Sequence, residues 1–391
     1  MGRSEQRQLK LAAIAAAFVA VLAGTSLARA EPTCDALCVR VRAELSTFTG
    51  WLAKHKVLGY IGEVGWPDDV RGDAGHWNDI AEMWYRDADA AKLPVTAWAT
   101  GEWWGRDYKL ATYEDRRNPP GVESADSQAG IVEGHPTTWQ YRRGINVAGA
   151  EFSGPVNEPT SLFSNARPGV YGTDYQYDTQ ATFSYLASRG IRIVRLPFRW
   201  ERIQPRLAAT LDPLELQRLT GAVGRARGAG LQVVLDVHNY GAYYLFDGEK
   251  GVRRGLGSPH LTKSHFVDLW RRLSVHFKNN SGVYAYGLMN EPTGISESAG
   301  LSPAQRWEII SQAALDAIRA NGDGKTVMVA GYDWSGVRQW TTQHPDPWIN
   351  DPLGKSRYEA HHYWDVDNSG DYPDAYTKEV VVAEQEAAAK Q

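Results

Sequence analysis

Two glutamates stand at the ends of apolar runs in this chain. The first lies in Gly59-Tyr60-Ile61-Gly62-Glu63-Val64-Gly65-Trp66, flanked by glycines. The second lies in Gly287-Leu288-Met289-Asn290-Glu291-Pro292, where a proline stops the strand behind it. Other runs end in Asp236-Val237-His238-Asn239-Tyr240, in Arg195-Leu196-Pro197-Phe198-Arg199-Trp200, in His361-His362-Tyr363-Trp364-Asp365 and at Trp98. Paired carboxylates among His, Arg and aromatic groups fit hydrolysis of a glycosidic bond. That reaction needs one protonated acid at the leaving oxygen and one ionised carboxylate at the anomeric carbon. A pyranose ring has a flat C–H face and a polar rim, and the chain is rich in flat, partly polar rings, with 15 Trp and 19 Tyr. Trp66, Trp98, Trp103, Trp104, Trp200, Trp334 and Trp364 follow strand-like runs. Trp84, Trp270 and Trp307 sit on helix patterns and read as packing.

The tripeptide Asn-Glu-Pro is weak evidence alone, because it occurs twice. Asn157-Glu158-Pro159 has no strand leading into it and reads as a loop; Asn290-Glu291-Pro292 has the strand.

The elements that must position these groups alternate between short apolar runs and longer amphipathic stretches. The runs are Val57–Val64, Val95–Trp98, Ile145–Ala148, Ile191–Pro197, Gln232–Asn239, Val283–Asn290, Thr326–Ala330 and Tyr358–Tyr363. Helical patterns cover Asp178–Arg189, Pro213–Ala229 behind an Asp212 cap, Phe266–Lys278 and Pro303–Ala320. The Ala/Glu/Lys-rich end, Thr377–Gln391, also reads as helix. Alternation of this kind implies parallel strands with crossover helices. Eight such units predict an α/β fold closed as a (β/α)8 TIM barrel, with reactive groups at the carboxyl ends of the strands. An open doubly wound sheet would call for a Gly-x-Gly-x-x-Gly turn, which the chain lacks. The segment Tyr113–Tyr141, with Asn118-Pro119-Pro120-Gly121, reads as a long surface connection.

The 391 residues carry 42 Lys+Arg and 46 Asp+Glu, a net charge of −4. That balance offers no footprint for nucleic acid. Arg3, Arg7 and Lys10 precede the apolar run Leu11–Gly24 and the small-x-small triplet Ala28-Arg29-Ala30. Residues 1–30 therefore read as a secretory signal peptide cleaved before Glu31, giving a secreted or periplasmic protein with no stable membrane insertion. The only cysteines, Cys34 and Cys38, would form a local clip in an exported chain. Nothing suggests a cofactor or a required metal, and the default assembly is a monomer.

These stretches resemble family 5 glycoside hydrolases of the endo-β-1,4-glucanase (cellulase) type. The resemblance is carried by Ile145–Phe152, Arg192–Trp200, Asp236–Tyr240, Gly287–Pro292, Gly331-Tyr332-Asp333-Trp334 and His361–Gly370, in that order. It implies a secreted retaining enzyme acting on β-1,4-glucan, with Glu63 as nucleophile and Glu291 as acid and then base. Another β-glucan, mannan, or a catalytically silent carbohydrate-binding barrel are the alternatives. It further implies that Arg195 keeps Glu63 ionised, that Tyr363 hydrogen-bonds Glu63, and that Asn290 meets the sugar 2-OH. His361 and His238 would bind hydroxyls or support the carboxylates, and His362 would face away. Trp98 would stack under a ring, with Trp334 a second platform. The resemblance places the nucleophile strand after the His-x-Tyr strand, whereas here its counterpart comes first. The expectation is a circularly permuted single domain over residues 31–391, with strand order seventh, eighth, then first to sixth. Residues 31–112 would be the moved pair of units, 113–141 the join and 142–391 the rest.

Overall fold

A computed structural model describes residues 33–68, 71–104, 108–115, 119–152, 162–296 and 300–390. The expected leader, residues 1–30, and the second Asn-Glu-Pro, residues 157–159, lie outside the described residues. The first helix, α1 (Ala36–His55), is capped by Asp35, which accepts from the Cys38 amide at 3.0 Å. Its buried face is set by Leu37, Val41, Leu45, Phe48 and Leu52, spaced three or four apart. Cys34 and Cys38 are joined by a disulfide at its start.

Eight parallel strands follow: β1 (Gly59–Gly65), β2 (Val95–Thr100), β5 (Arg143–Val147), β6 (Ile193–Phe198), β7 (Gln232–Val237), β10 (Val283–Gly287), β11 (Thr326–Ala330) and β12 (Ser356–Tyr363). Around the barrel the order is β1, β12, β11, β10, β7, β6, β5, β2, and a β1–β2 pairing closes the ring. All eight expected runs are strands of this closed α/β barrel. Between and after them lie α2 (Ala74–Ala90), α4 (Gln180–Ser188), α6 (Pro213–Gly228), α7 (Lys263–Phe277), α8 (Pro303–Ala320) and α10 (Tyr376–Ala389). Asp212 caps α6 and Ser302 caps α8, each with proline in the first turn.

Two layers of core hold the barrel. Tyr60, Ile193, Val234, Ala285 and Met328 form a small apolar cluster contributed by five barrel strands. A much larger cluster joins strands to helices, and Trp84, Trp270 and Trp307 are wholly buried in it, as their helical spacing predicts.

The connection after β2 departs from the expected surface loop. It holds β3 (Tyr113–Asp115), which pairs with β2, β4 (Val122–Ala125), antiparallel to β3, and α3 (Ala129–Gly134). Tyr113, Val122, Ile131 and Val132 are buried. Those apolar residues are too widely spaced for a period to show, so only the turn residues between them were legible. The short helices α5 (Trp200–Ile203) and α9 (Trp340–Gln343) follow β6 and β11. After β7 comes a hairpin of β8 (Ala242–Phe246) and β9 (Gly251–Gly255).

Candidate active site

Glu63 reaches the barrel interior through an irregularity in β1. Ile61 pairs with Ala360 and Glu63 with His361, so Gly62 is the extra residue of a bulge. Without it, strict alternation would put Gly62 and Glu63 on opposite faces. The bulge frees the Gly62 carbonyl, which accepts from Thr96 Oγ1 at 2.6 Å and Asn146 Nδ2 at 2.8 Å. Glu63 is buried, and each of its oxygens has a partner. Oε1 accepts from Arg195 Nη1 at 2.8 Å, and Oε2 accepts from the Tyr363 hydroxyl at 2.7 Å. Burial first, and then the Glu63 and Glu291 charges, push the Tyr363 phenol well above its ordinary range, so it stays a donor.

Arg195, not Arg199, is the guanidinium at this carboxylate. Arg199 instead donates to the His238 carbonyl at 2.8 Å and lies 3.6 Å from Glu201. Arg195 is wholly buried and also meets Asp236 at 3.0 Å, Glu359 at 3.1 Å, and the amide oxygens of Asn146 at 2.9 Å and Asn290 at 2.7 Å. Burial opposes its charge, but Asp236, Glu359 and Glu63 outweigh that and hold it protonated. Burial would raise the Glu359 carboxyl; the Arg195 charge overrides it and keeps Glu359 below the usual range.

Glu291 follows β10 with a left-handed φ of 42°, a conformation costly for a non-glycine and concentrated at functional sites. Its Oε1 meets His361 Nδ1 at 2.8 Å. Burial, and then the Glu63 charge, raise the Glu291 carboxyl above its ordinary value, although the His361 bond pulls the other way. His361 stands between three carboxylates, with Glu63 at 3.6 Å and Glu359 at 3.4 Å. Burial lowers its affinity for a proton, but the Glu63 charge and the bonds to Glu291 and Glu359 win, pushing it up to about 10. One oxygen of Glu63, one of Glu291 and a ring nitrogen of His361 all lie within 4.8 Å of one another. Among the described residues this is also the one group placed to gather three ligand atoms around a metal ion. Those side chains are already engaged with Arg195, Tyr363 and one another.

His238 is held differently. Its Nδ1 meets Asp236 Oδ2 at 2.8 Å, and the Asn290 amide donates to its Nε2 at 3.1 Å. Burial drives its pKa far down, so the ring is neutral with the proton on Nδ1. Asp236 itself is pushed up to about 7, mainly by burial. Trp98 stacks near His238 at 5.9 Å and donates its indole N–H to the Tyr108 hydroxyl at 2.8 Å. Trp334 stands out from the surface at 52% exposure, 5.8 Å from Tyr240. His362 faces outward, between the Trp84 indole at 3.0 Å and Glu44 at 3.0 Å.

Trp66, Trp200 and Trp364 correct the reading of strand-end tryptophans as sugar platforms. They are fully buried, and Trp66 stacks on Trp364 at 5.4 Å. Sequence position marked the strand ends but not which side of the strand each ring takes. Asn146, Glu359 and Tyr240 are site residues that sequence reasoning missed. Glu359 sits two places before His361 on the same strand, and that period-2 spacing was the available signal.

Gly62 is confined by this network. A Cβ there would lie 2.1 Å from Glu359 Oε1 and 2.8 Å from His361 Nε2. Gly62→Ala should lower kcat by about 100-fold, a loss that a 1 Å misplacement of reacting groups can cause. Thermal melting and kinetics on one preparation would check this; a fully active variant would show that the network tolerates the shift.

The cellulase model of glycosyl hydrolase family 5 matches residues 146–391. A probable endo-β-1,4-glucanase B of Aspergillus oryzae is 32% identical over 230 residues, 58% of this chain and 60% of that protein. The chain thus spans about three fifths of that relative's length. Among solved structures, an endo-β-1,4-glucanase from Xanthomonas axonopodis pv. citri is 33% identical with a TM-score of 0.50, covering 62% of this chain and 72% of that one. Pseudomonas stutzeri endoglucanase Cel5A, solved with cellobiose, is 33% identical with a TM-score of 0.50, covering 61% and 65%. A closed parallel barrel with a carboxylate pair at its mouth, together with a family match over more than half the chain, places this protein in glycosyl hydrolase family 5.

Proposed function

We propose that the protein is a secreted, retaining endo-β-1,4-glucanase. The observation that carries this reading is the approach of Glu63 and Glu291 within 4.8 Å. Retaining enzymes hold their carboxyl groups about 5–5.5 Å apart, whereas inverting ones leave about 6.5–9.5 Å for a water. Glu63, paired with Arg195 and oriented by Tyr363, attacks the anomeric carbon. Glu291, whose raised pKa keeps its proton available, gives that proton to the leaving oxygen. A covalent glycosyl ester on Glu63 results. Glu291, now a carboxylate, takes a proton from the incoming water, which breaks the ester and restores both groups. Asn290 meets the sugar 2-OH, His238 supports it, and Trp98 stacks under the reacting ring. The named glucanase relatives support a β-1,4-glucan substrate. The sequence of residues 1–30 supports export.

Circular permutation belongs to the same proposal. The family match begins at residue 146, within β5, yet the ring needs β1 and β2 from the preceding part. The pairing of β1 with both β12 and β2 supports the reading that this pair takes the place of the family's last two strands. The first and last strands of a closed barrel are neighbours, so such a rearrangement keeps every pairing.

The test is hydrolysis of β-1,4-glucan, mixed-linkage β-glucan and mannan, with the product anomer followed by NMR. The expected result is fastest cleavage of a β-1,4-glucan, with the β-anomer appearing first. Faster cleavage of mannan would reassign the substrate. An initial α-anomer would refute retention. Saturable binding without hydrolysis would indicate a silent binding barrel.

A further inference from the structure

A groove of about 640 Å³ lies between α1 and α10. Ala36, Val39 and Ala43 line it from α1, and Ala383 and Ala387 line it from α10. Each set is spaced three or four apart, so each forms one stripe along its helix. Alanines in both stripes leave open the space that longer side chains would fill. Val39, at 58% exposure, is an apolar side chain that no packing within the chain covers. The groove shares no lining residue with the cavity at Glu291 and His361.

Two guanidiniums also line the groove, Arg40 of α1 and Arg338 of the loop after β11. The Arg40 side chain is only 8% exposed. Its Nη2 donates to the Trp364 carbonyl. Among the described residues its buried Nε and Nη1 have no hydrogen-bond partner. Arg338 donates from Nε to Glu44 Oε1 at 2.9 Å and from Nη1 to the Val366 carbonyl at 2.8 Å, while its buried Nη2 has no such partner. Arg40 Nε lies 3.8 Å from that same Glu44 oxygen, so the two guanidiniums flank one point. Buried donors left unpaired are costly, and an acceptor reaching both would relieve them.

The neighbouring carboxylates do not fill that role. Glu44 is engaged by Arg338 through Oε1 and by His362 through Oε2 at 3.0 Å. Glu386 lies 3.7 Å from Arg40 Nη1, too far for a hydrogen bond. Glu379 of α10 is buried, and neither of its oxygens bonds Arg40; burial, with the Asp365 charge, raises its carboxyl above the ordinary value. Among the lining residues the cations Arg40, Arg338 and Lys390 outnumber the anions Glu44 and Glu386. The groove therefore offers apolar walls and a surplus of positive charge.

We propose that this groove binds a small amphiphilic carboxylate, its head held by Arg40 Nη1 and Arg338 Nη2 and its aliphatic chain laid between the two alanine stripes. The planar fork of a guanidinium matches a carboxylate, and apolar walls with a few convergent polar groups suit the remainder of such a ligand. The inference stands apart from the glucanase reaction and does not depend on it.

Calorimetric titration of the full chain with sodium octanoate tests the site. Acetate supplies the head alone, and 1-octanol the tail alone. Octanoate should bind at one site and at least tenfold more tightly than either. Arg338→Met should weaken octanoate binding roughly tenfold, the effect of one lost hydrogen bond to a charged group. Ala387 is exposed, so Ala387→Trp should fill the groove and abolish binding while the melting temperature without ligand stays the same. Saturating octanoate should raise the melting temperature of the unaltered protein and leave that of Ala387→Trp unmoved. Absence of octanoate binding, equal affinity for 1-octanol, or undiminished binding in Arg338→Met or Ala387→Trp would overturn the proposal.

Discussion

Glu63→Gln should abolish hydrolysis of glucan, with kcat down on the order of 10⁴-fold or more, while the protein stays folded. Glutamine keeps the shape and can still meet Tyr363 and Arg195, but it has no charge with which to attack. Glu291→Ala should behave differently. On glucan the loss should be about 10²–10⁴-fold, the range of general acid catalysis. On an aryl glycoside whose phenol leaves without protonation, formation of the ester should be nearly intact. The ester should then accumulate, because Glu291 is also needed to activate water. Azide separates the two roles. Added to Glu291→Ala, it should attack the ester and give a β-glycosyl azide. Added to Glu63→Ala, it should occupy the vacated face and give an α-glycosyl azide. Exchange of these two products would reverse the assignment of nucleophile and acid. Full activity in either glutamate variant would end it.

Arg195→Met should be the most destabilising single change in the site. It removes the one cation that meets Glu63, Asp236 and Glu359 at 2.8–3.1 Å inside the barrel. Breaking a buried ion pair costs about 3–5 kcal/mol, which for a chain of this size lowers the melting temperature by roughly 5–15 °C. The pH dependence has a definite sign. Without the guanidinium the folded-state carboxyl pKa values rise above their unfolded values. Each such group binds more protons folded than unfolded, so stability is lost as pH climbs through and above the ordinary carboxylate range. The variant's deficit should therefore be smaller near pH 4 than near pH 8. Asp236, already pushed up to about 7, should lead that change. Differential scanning calorimetry at both pH values would decide it; an equal deficit at each would mean that the lost packing of Arg195, not its charge, dominates.

The barrel was legible because each strand is a short apolar run and several helices show apolar residues at helical spacing, one of them behind a start signal at Asp212 and Pro213. Glu63, Glu291, Arg195, His361 and Tyr363 were legible because they follow or end such runs. Direct contacts among them support that reading of the residues, while their catalytic roles remain a proposal. Three kinds of feature were hidden. The bulge at Gly62 obeys no local pattern; it exists because β1 must match β12, a strand remote in sequence. Glu359 and Asp236 looked like ordinary strand residues, and only closure of the ring turns them toward Arg195. Burial of Trp66, Trp200 and Trp364 depends on which helices cover the strand, a matter of packing rather than of position along the chain.

Glu63 and the tyrosine that bonds it, Tyr363, are separated by 300 residues along the chain. The seam between β1 and β12 is thus the last that a growing chain can zip, and contacts of such long sequence range are slow to form. Until the ribosome has delivered the final strand, Glu63 has neither its phenol nor the bulge that turns it inward. Assembly of the site therefore waits on β12: a chain cut short before Ser356 could carry both Glu63 and Glu291 and still lack the strand that holds Glu63 in place.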